Sequence, residues 1–123
     1  MLALQPRILV LDDDALALEL YSRELGRDYQ VLALSNIQET RHSLRNMTFD
    51  AVIIEPAVDE DEGWSLVREI RAMANPPLII MCSVEDDRKS GLELGAHAFL
   101  VKPVLPMTLH SLLDQIVARS AVK

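Results

Sequence analysis

The chain has 123 residues, of which half are hydrophobic and a quarter are charged, and its formal net charge is −7. These figures predict one ordinary globular domain, residues 1–123, and exclude a disordered chain, which would be less apolar. Such an acidic chain lacks the basic face that direct nucleic-acid binding requires. A single cysteine excludes an internal disulfide, and the sequence contains neither a membrane-span-length apolar run nor a recognisable signal peptide. We therefore expect a cytoplasmic protein without membrane contact.

Short apolar segments alternate with helical patterns along the chain. In chain order the pattern predicts a strand at 8–11, a helix at 15–25, a strand at 29–34, a helix from 36 to about 46, a strand at 51–54, a helix with an apolar stripe over 66–74, a strand at 78–81, a weaker helix at 84–94, a strand at 98–101 and a helix from 106 to about 119. Ser35, with Gln38 three residues later, resembles a capping box that opens the second helix.

Three of the five predicted strands are nearly continuous apolar runs, which is typical of strands buried on both faces of a parallel sheet. Five strands that alternate with five helices predict a doubly wound α/β fold, with right-handed crossovers that place helices on both faces. In such a fold the functional crevice lies at the carboxyl ends of the strands.

Polar residues follow the buried strands at this edge. Asp12–Asp14 follow the first strand, Glu55 the third, Ser83 the fourth and Lys102 the fifth. Carboxylates brought this close repel one another unless a cation lies between them, and a cluster of hard oxygen ligands suits Mg²⁺. The sequence therefore indicates a cation-binding acidic site.

Each of these residues also has a purely structural interpretation. Asp12–Asp14 could cap the first helix, Glu55 could lie in a solvated turn, Ser83 could cap the fourth helix, and Lys102 could end an exposed strand. Their common position at one sheet edge favours a joint site.

The ordered set of motifs resembles the receiver domain of two-component response regulators over essentially the whole chain. The matching segments are ILVLDDD (8–14), DAVIIE (50–55), Gly63, Ser83 and GLELGAHAFLVKP (91–103). The resemblance implies a flavodoxin-like (βα)₅ fold with a five-stranded parallel sheet in the order 2-1-3-4-5.

The resemblance also implies roles for individual residues. Asp12, Asp13 and the backbone carbonyl of Ala57 would bind Mg²⁺ together with the phospho-acceptor side chain. Lys102 would bind the acceptor and then the phosphoryl oxygens, while Ser83 and Phe99 occupy the switch positions. A histidine kinase or phosphorelay protein would be the donor, an effector domain or protein the target, and a homodimer is allowed. The domain would signal and would not act as an enzyme on a separate substrate.

One departure from the family pattern concerns the mechanism. The acceptor position holds Glu55, which is longer than aspartate by about 1.5 Å, one carbon–carbon bond. In-line transfer tolerates such misplacement badly, because ~1 Å can cost ~100-fold in rate. We hypothesise that Glu55 blocks ordinary phosphorylation and biases this pseudo-receiver toward an active-like state. Nearby, Asp59–Glu62 either add negative charge over the pocket or form a solvated loop.

Three alternatives stay open. The protein could be a conventional regulator in which Glu55 is tolerated or a neighbouring aspartate accepts the phosphoryl group. It could also be an interaction module without metal or phosphoryl chemistry. Asp12-x-Asp14 further resembles the start of a haloacid-dehalogenase-type phosphatase, although Ala15 and Leu16 depart from that motif. The histidines, His42, His97 and His110, lie on separate predicted elements and show no metal-binding spacing.

Overall fold

The computed structural model describes residues 5–121 as a five-stranded parallel sheet flanked by five helices. The elements in chain order are β1 (Arg7–Leu11), α1 (Ala15–Leu25), β2 (Gln30–Leu34), α2 (Ile37–Asn46), β3 (Ala51–Ile54), α3 (Val58–Arg71), β4 (Leu78–Ser83), α4 (Arg88–Leu94), β5 (Ala98–Val101) and α5 (Pro106–Ala121). The strand order is β2-β1-β3-β4-β5 and every pair is parallel. The predicted flavodoxin-like fold and strand order are thereby confirmed.

The central strands contribute alternate side chains to two separate cores. Leu9, Val52 and Ile79 point to the face that α2, α3 and α4 cover. Ile8 and Ile53 point to the other face, which α1 and α5 cover. Because successive residues of a strand face opposite sides, burial on both faces requires the continuous apolar runs seen in the sequence.

The start of α2 differs by one residue from the prediction. Asn36, and not Ser35, is the N-cap: its side-chain oxygen accepts from the Glu39 amide at 2.9 Å, and its Nδ2 donates to the Glu39 carboxylate at 3.0 Å. The capping box is present, but it uses Asn36 and Glu39 in place of Ser35 and Gln38.

Helix α3 begins earlier and ends earlier than the apolar stripe indicates. Its span starts at Val58, but Asp59, Glu60 and Asp61 have φ values of 49°, 56° and 69°, so this stretch is left-handed backbone before the regular helix. The helix ends at Arg71, and Met73 lies beyond it, partly exposed.

Helix α4 begins at Arg88, four residues later than predicted. The preceding residues form a turn in which Ser83 Oγ accepts from the Glu85 amide at 3.3 Å and Asp86 Oδ1 accepts from the Arg88 amide at 3.3 Å. These local side-chain bonds compete with helix formation. Strand β4 correspondingly extends through Ser83, which is its last residue.

Candidate functional site: a buried carboxyl pocket at the strand ends

The carboxyl ends of β1, β3, β4 and β5 bring Asp12, Glu55, Ser83 and Lys102 together. Backbone bonds fix the first two, because the Asp12 amide donates to Leu34 at 3.1 Å and the Glu55 amide donates to Leu11 at 2.9 Å. The Lys102 amide donates to the Ser83 carbonyl at 2.7 Å, which joins the ends of β4 and β5. Sheet geometry alone therefore aims these side chains at one edge.

Asp12 is the partner that Lys102 prefers. The ammonium Nζ lies 2.6 Å from Asp12 Oδ2 and 3.9 Å from Glu55 Oε2. The other oxygen of Asp12 accepts from the Asp14 backbone amide at 2.9 Å. Burial would lower the pKa of Lys102, but the hydrogen bond to Asp12 and the charges of Asp12 and Glu55 raise it. Lys102 is therefore charged and held mainly by Asp12.

Glu55 is buried, with 5% of its surface exposed, and it has incomplete partners. Ser83 Oγ donates to Glu55 Oε1 over a long 3.5 Å, and Oε2 has no hydrogen-bond partner among residues 5–121. Burial raises the pKa of Glu55 to about 7, and the charges of Asp12 and Asp13 add to this, against the opposing charge of Lys102. The carboxyl therefore titrates near neutrality.

The three consecutive aspartates after β1 divide into three environments. Asp12 is buried in the pocket, whereas Asp13 and Asp14 are exposed. Asp14 is the N-cap of α1, and its Oδ1 accepts from the Leu16 amide at 3.0 Å. Both interpretations of this acidic run thus apply, each to a different residue.

The two ends of the acidic run Asp59–Glu62 contact α2. Asp59 Oδ2 accepts from the Ile37 amide at 2.8 Å, which satisfies the start of α2, and Glu62 forms an ion pair with Arg41 at 3.7 Å. The charges that shift the pKa of Glu55 come from Lys102, Asp12 and Asp13. Asp59 and Glu62 therefore link α2 and α3.

Two residues behind the pocket are packed tightly. Phe99 is 6% exposed, and a Cβ added at Gly91 would lie 2.6 Å from its ring. Gly63 is buried where a Cβ would lie 2.5 Å from the Pro56 Cα, so this close approach requires glycine. Gly63 thereby lets α3 pass directly over the segment that follows Glu55.

Among residues 5–121, the group of His, Cys, Asp and Glu atoms spaced to hold a metal lies elsewhere, at Asp28, His110 and Asp114. His110 Nδ1 lies 2.6 Å from Glu24, and Nε2 lies 2.7 Å from Asp28. Sequence spacing missed this cluster because Asp28 comes from the loop after α1 and the other two members come from α5, far along the chain. The one sequence signal is the i, i+4 spacing of His110 and Asp114.

The comparisons with known proteins agree with this geometry. Residues 8–114 match the response regulator receiver domain family, and the chain belongs to that family. It is 30% identical to the "Transcriptional regulatory protein AruR" of Pseudomonas aeruginosa over 96% of this chain and 52% of that protein. It is 28% identical to the "Probable transcriptional regulator ycf27" of Guillardia theta over 93% of this chain and 46% of that one. The chain thus spans about half the length of the relatives it matches.

Solved structures show the same fold at low identity. The response regulator DrrB, described as a Thermotoga maritima OmpR/PhoB homologue, has a TM-score of 0.86 at 22% identity over 95% of this chain and 54% of that chain. The receiver domain of the Francisella response regulator 1452 has a TM-score of 0.86 at 20% identity over 94% and 98%. The chain is a receiver domain of a two-component system. No helix within residues 5–121 is long and apolar enough to span a membrane.

Proposed function

We propose that residues 1–123 form an atypical, non-enzymatic receiver module in which Glu55 holds the phospho-acceptor position and which acts through protein–protein interaction. The observation that carries this proposal is the buried Glu55 carboxyl at the end of β3, between the Ser83 hydroxyl and the Lys102 ammonium. Lys102 and Ser83 are the residues that the family's phosphoryl chemistry would use.

The position of Glu55 argues against ordinary phosphorylation. Its carboxyl reaches Ser83 and approaches Lys102, the space that an incoming phosphoryl group would need. A carboxyl with a pKa of about 7 is also partly protonated at neutral pH, which lowers the fraction of molecules with a nucleophilic carboxylate. Displacement by ~1 Å and loss of nucleophile both slow in-line transfer.

The donor set at the pocket fits Mg²⁺ chemically. Asp12, Asp13, Glu55 and the Ala57 carbonyl are hard oxygen ligands, and the buried Glu55 Oε2 lacks a hydrogen bond among the described residues. Two of these ligands have competing partners: Asp12 holds Lys102, and the Ala57 carbonyl accepts from the Asp61 amide at 3.2 Å. If bound, Mg²⁺ would neutralise negative charge in the pocket.

An active-like bias is the finer part of the proposal. Ser83 is 2% exposed and touches the Glu55 carboxyl, and Phe99 is buried behind it against Gly91. In this arrangement Glu55 engages the hydroxyl that would otherwise close over a phosphoryl group. Ser83 and Phe99 are thus the proposed switch pair, held inward without a phosphoryl group.

The rim of the pocket supports a protein partner. Leu16, Val84, Leu105 and Met107 expose between 62% and 70% of their surface. Leu16 and Val84 line one open groove together with Lys102. Such a cluster of large apolar side chains is typical of protein-binding surfaces. The partners we propose are a histidine kinase or phosphorelay protein and an effector domain or protein, which the longer transcriptional regulators among the relatives support.

The deciding experiment is phosphorylation by a small acyl phosphate with Mg²⁺, followed by intact mass measurement. We expect no phosphoryl adduct on the wild type and a clear adduct on Glu55→Asp, because the shorter side chain withdraws from Ser83 and Lys102. Glu55→Gln is the matched control, and an adduct that persists in it would indicate a neighbouring aspartate as acceptor. A stable adduct on Glu55 of the wild type would overturn the proposal.

A further inference from the structure

A second charged cluster lies on the face formed by α1 and α5, away from the strand ends that form the pocket. His110 is on α5, Asp114 lies one turn later, Glu24 is near the end of α1, and Asp28 precedes β2. His110 is 9% exposed, whereas the side chains of Asp28 and Asp114 are 63% and 54% exposed. The imidazole is therefore enclosed, and the carboxylates open to solvent.

Three ligand atoms in this cluster converge. His110 Nε2 lies 2.7 Å from Asp28 Oδ2 and 3.6 Å from Asp114 Oδ1, and one ligand atom from each residue lies within 4.8 Å of the others. Ligands of a tetrahedral Zn²⁺ with bonds near 2.1 Å are about 3.4 Å apart. The 3.6 Å separation is close to that of a coordination sphere, whereas the 2.7 Å contact is an ion-pair distance that must lengthen by about 0.7 Å when a metal replaces the proton.

The imidazole is aimed into the cluster through its buried Nε2. Nε2 has almost no accessible surface and no assigned hydrogen bond among residues 5–121, and its neighbours are the Asp28 and Asp114 carboxylates, with which a protonated ring forms ion pairs. The opposite nitrogen, Nδ1, lies 2.6 Å from Glu24 Oε2. A proton on Nδ1 donated to Glu24 leaves the Nε2 lone pair facing Asp28 and Asp114.

Outer partners fix two of the three ligands. Glu24 orients His110, and the Tyr29 hydroxyl donates to Asp114 Oδ1 at 2.5 Å. Metal-binding histidines almost always donate their other ring proton to a carboxylate or carbonyl, and ligating carboxylates are themselves hydrogen-bonded. The cluster has both features.

We propose that His110, Asp28 and Asp114 form a site for a divalent transition-metal ion such as Zn²⁺, with Glu24 and Tyr29 as outer partners. One imidazole and two carboxylates suit Zn²⁺ better than Mg²⁺, which takes oxygen ligands. Three protein ligands leave at least one position for water or for a side chain of a bound partner. The site is independent of the proposed function of Glu55.

A proton is the competing occupant of Nε2. Glu24, Asp28 and Asp114 all face the ring, Tyr29 packs edge-on against it, and Arg27 pairs with Glu24. The hydrogen bond to Glu24, the charge of Asp114, and the short contact with Asp28 and its charge raise the pKa of His110, against the opposing effect of burial. Because the metal must displace this proton, Zn²⁺ affinity should increase with pH until the imidazole is fully neutral.

The test uses untagged, chelator-stripped protein titrated calorimetrically with Zn²⁺ in excess Mg²⁺, which occupies oxygen-only sites. We expect one Zn²⁺ per chain and at least about tenfold weaker binding in His110→Gln and Asp28→Asn, since each removes a ligand. Glu24→Gln should weaken binding about tenfold, as loss of an outer partner does elsewhere. His42→Gln, an exposed histidine on α2, is the matched control and should bind like the wild type.

The proposal fails if the wild type binds no stoichiometric Zn²⁺, or if both ligand variants bind as tightly as the wild type. In either case the cluster holds a protonated imidazole only. Asp28→Asn keeps the test valid if His110→Gln does not fold, because the exposed Asp28 side chain has little packing to lose.

Discussion

The strand-end pocket and the cluster around His110 each place one basic side chain among carboxylates. The pKa that moves toward protonation is that of an acid, Glu55, in the pocket and that of the base, His110, in the cluster. In the pocket, Lys102 forms ion pairs with Asp12 and Glu55, and burial raises the pKa of Glu55 to about 7. In the cluster, the hydrogen bond between His110 and Glu24 lowers the pKa of Glu24, and the pKa of His110 is raised.

The difference follows from burial. Desolvation disfavours the charged form of a carboxyl, so the enclosed Glu55 retains a proton that a solvated glutamate would lose. The side chains of Asp28 and Asp114 are more than half exposed, and the hydrogen bond to Glu24 together with the charges around the ring favours the imidazolium form of His110. Enclosure therefore raises the pKa of a carboxyl in the pocket, whereas a hydrogen bond to a neighbouring carboxylate raises the pKa of the imidazole in the cluster.

The largest expected effect comes from removing the cation of the pocket. Lys102→Met should destabilise the fold by about 3–5 kcal/mol at pH 8, because an unpaired buried Asp12 charge remains beside Glu55. Urea unfolding at pH 8 and pH 5 measures this loss, which should shrink at the lower pH as Glu55, with a pKa of about 7, becomes protonated. The control is Lys89→Met on the exposed surface of α4, expected to change stability little. Equal losses in both variants would contradict the pairing described for Lys102.

The next effect concerns Glu55 itself. Its folded pKa of about 7 exceeds the ordinary value of 4.5, so the folded protein binds more protons between these values and loses stability as pH rises through them. The loss across this window is about 3 kcal/mol for one group. Glu55→Gln should lack this decline.

Unfolding curves for the wild type and Glu55→Gln from pH 4 to pH 8 provide the measurement. Glu85→Gln, on an exposed residue of the turn before α4, is the matched control and should follow the wild type. Parallel pH profiles for wild type and Glu55→Gln would mean that Glu55 is ionised normally.

The smallest effect is expected at His110. A raised folded pKa gives stability that is fully present below the ordinary value of 6.5 and is lost as pH rises through the folded value. The partners are partly exposed, so the contribution is about 1 kcal/mol or less. In chelator, the stability difference between wild type and His110→Gln should be larger at pH 6 than at pH 9. A difference that grew with pH would show that the imidazole is neutral in the fold.

The sequence was sufficient for the sheet and for the residues at its edge, because both follow from local pattern and parallel topology. Continuous apolar runs mark the strands, and the first polar residues after them converge. The ends of the elements near the site were harder to predict from the sequence. Ser83 belongs to β4, and α4 starts later than predicted because the side chains of Ser83 and Asp86 accept hydrogen bonds within the preceding turn.

The sequence could not show which of several possible partners each side chain contacts. Nothing in the order of residues states that Lys102 pairs with Asp12 more closely than with Glu55, or that Asp59 accepts a hydrogen bond from the Ile37 amide at the start of α2. The cluster at His110 was missed for the same reason, since it depends on how α1 and α5 pack across one face of the sheet. Such contacts depend on distances of a few ångström that periodicity does not encode.

Glu55 has one oxygen hydrogen-bonded to Ser83 and one without a partner among the described residues, and its carboxyl gains or loses a proton near neutral pH. The pKa of this carboxyl is about 7. When Glu55 is protonated, it must release its proton to solvent before it can bind a ligand that requires a charged carboxylate. Cation binding at the strand ends would therefore carry a heat that varies with the ionisation enthalpy of the buffer. Acidification would compete with such binding, so occupancy of the pocket by a cation would be coupled to the proton concentration around it.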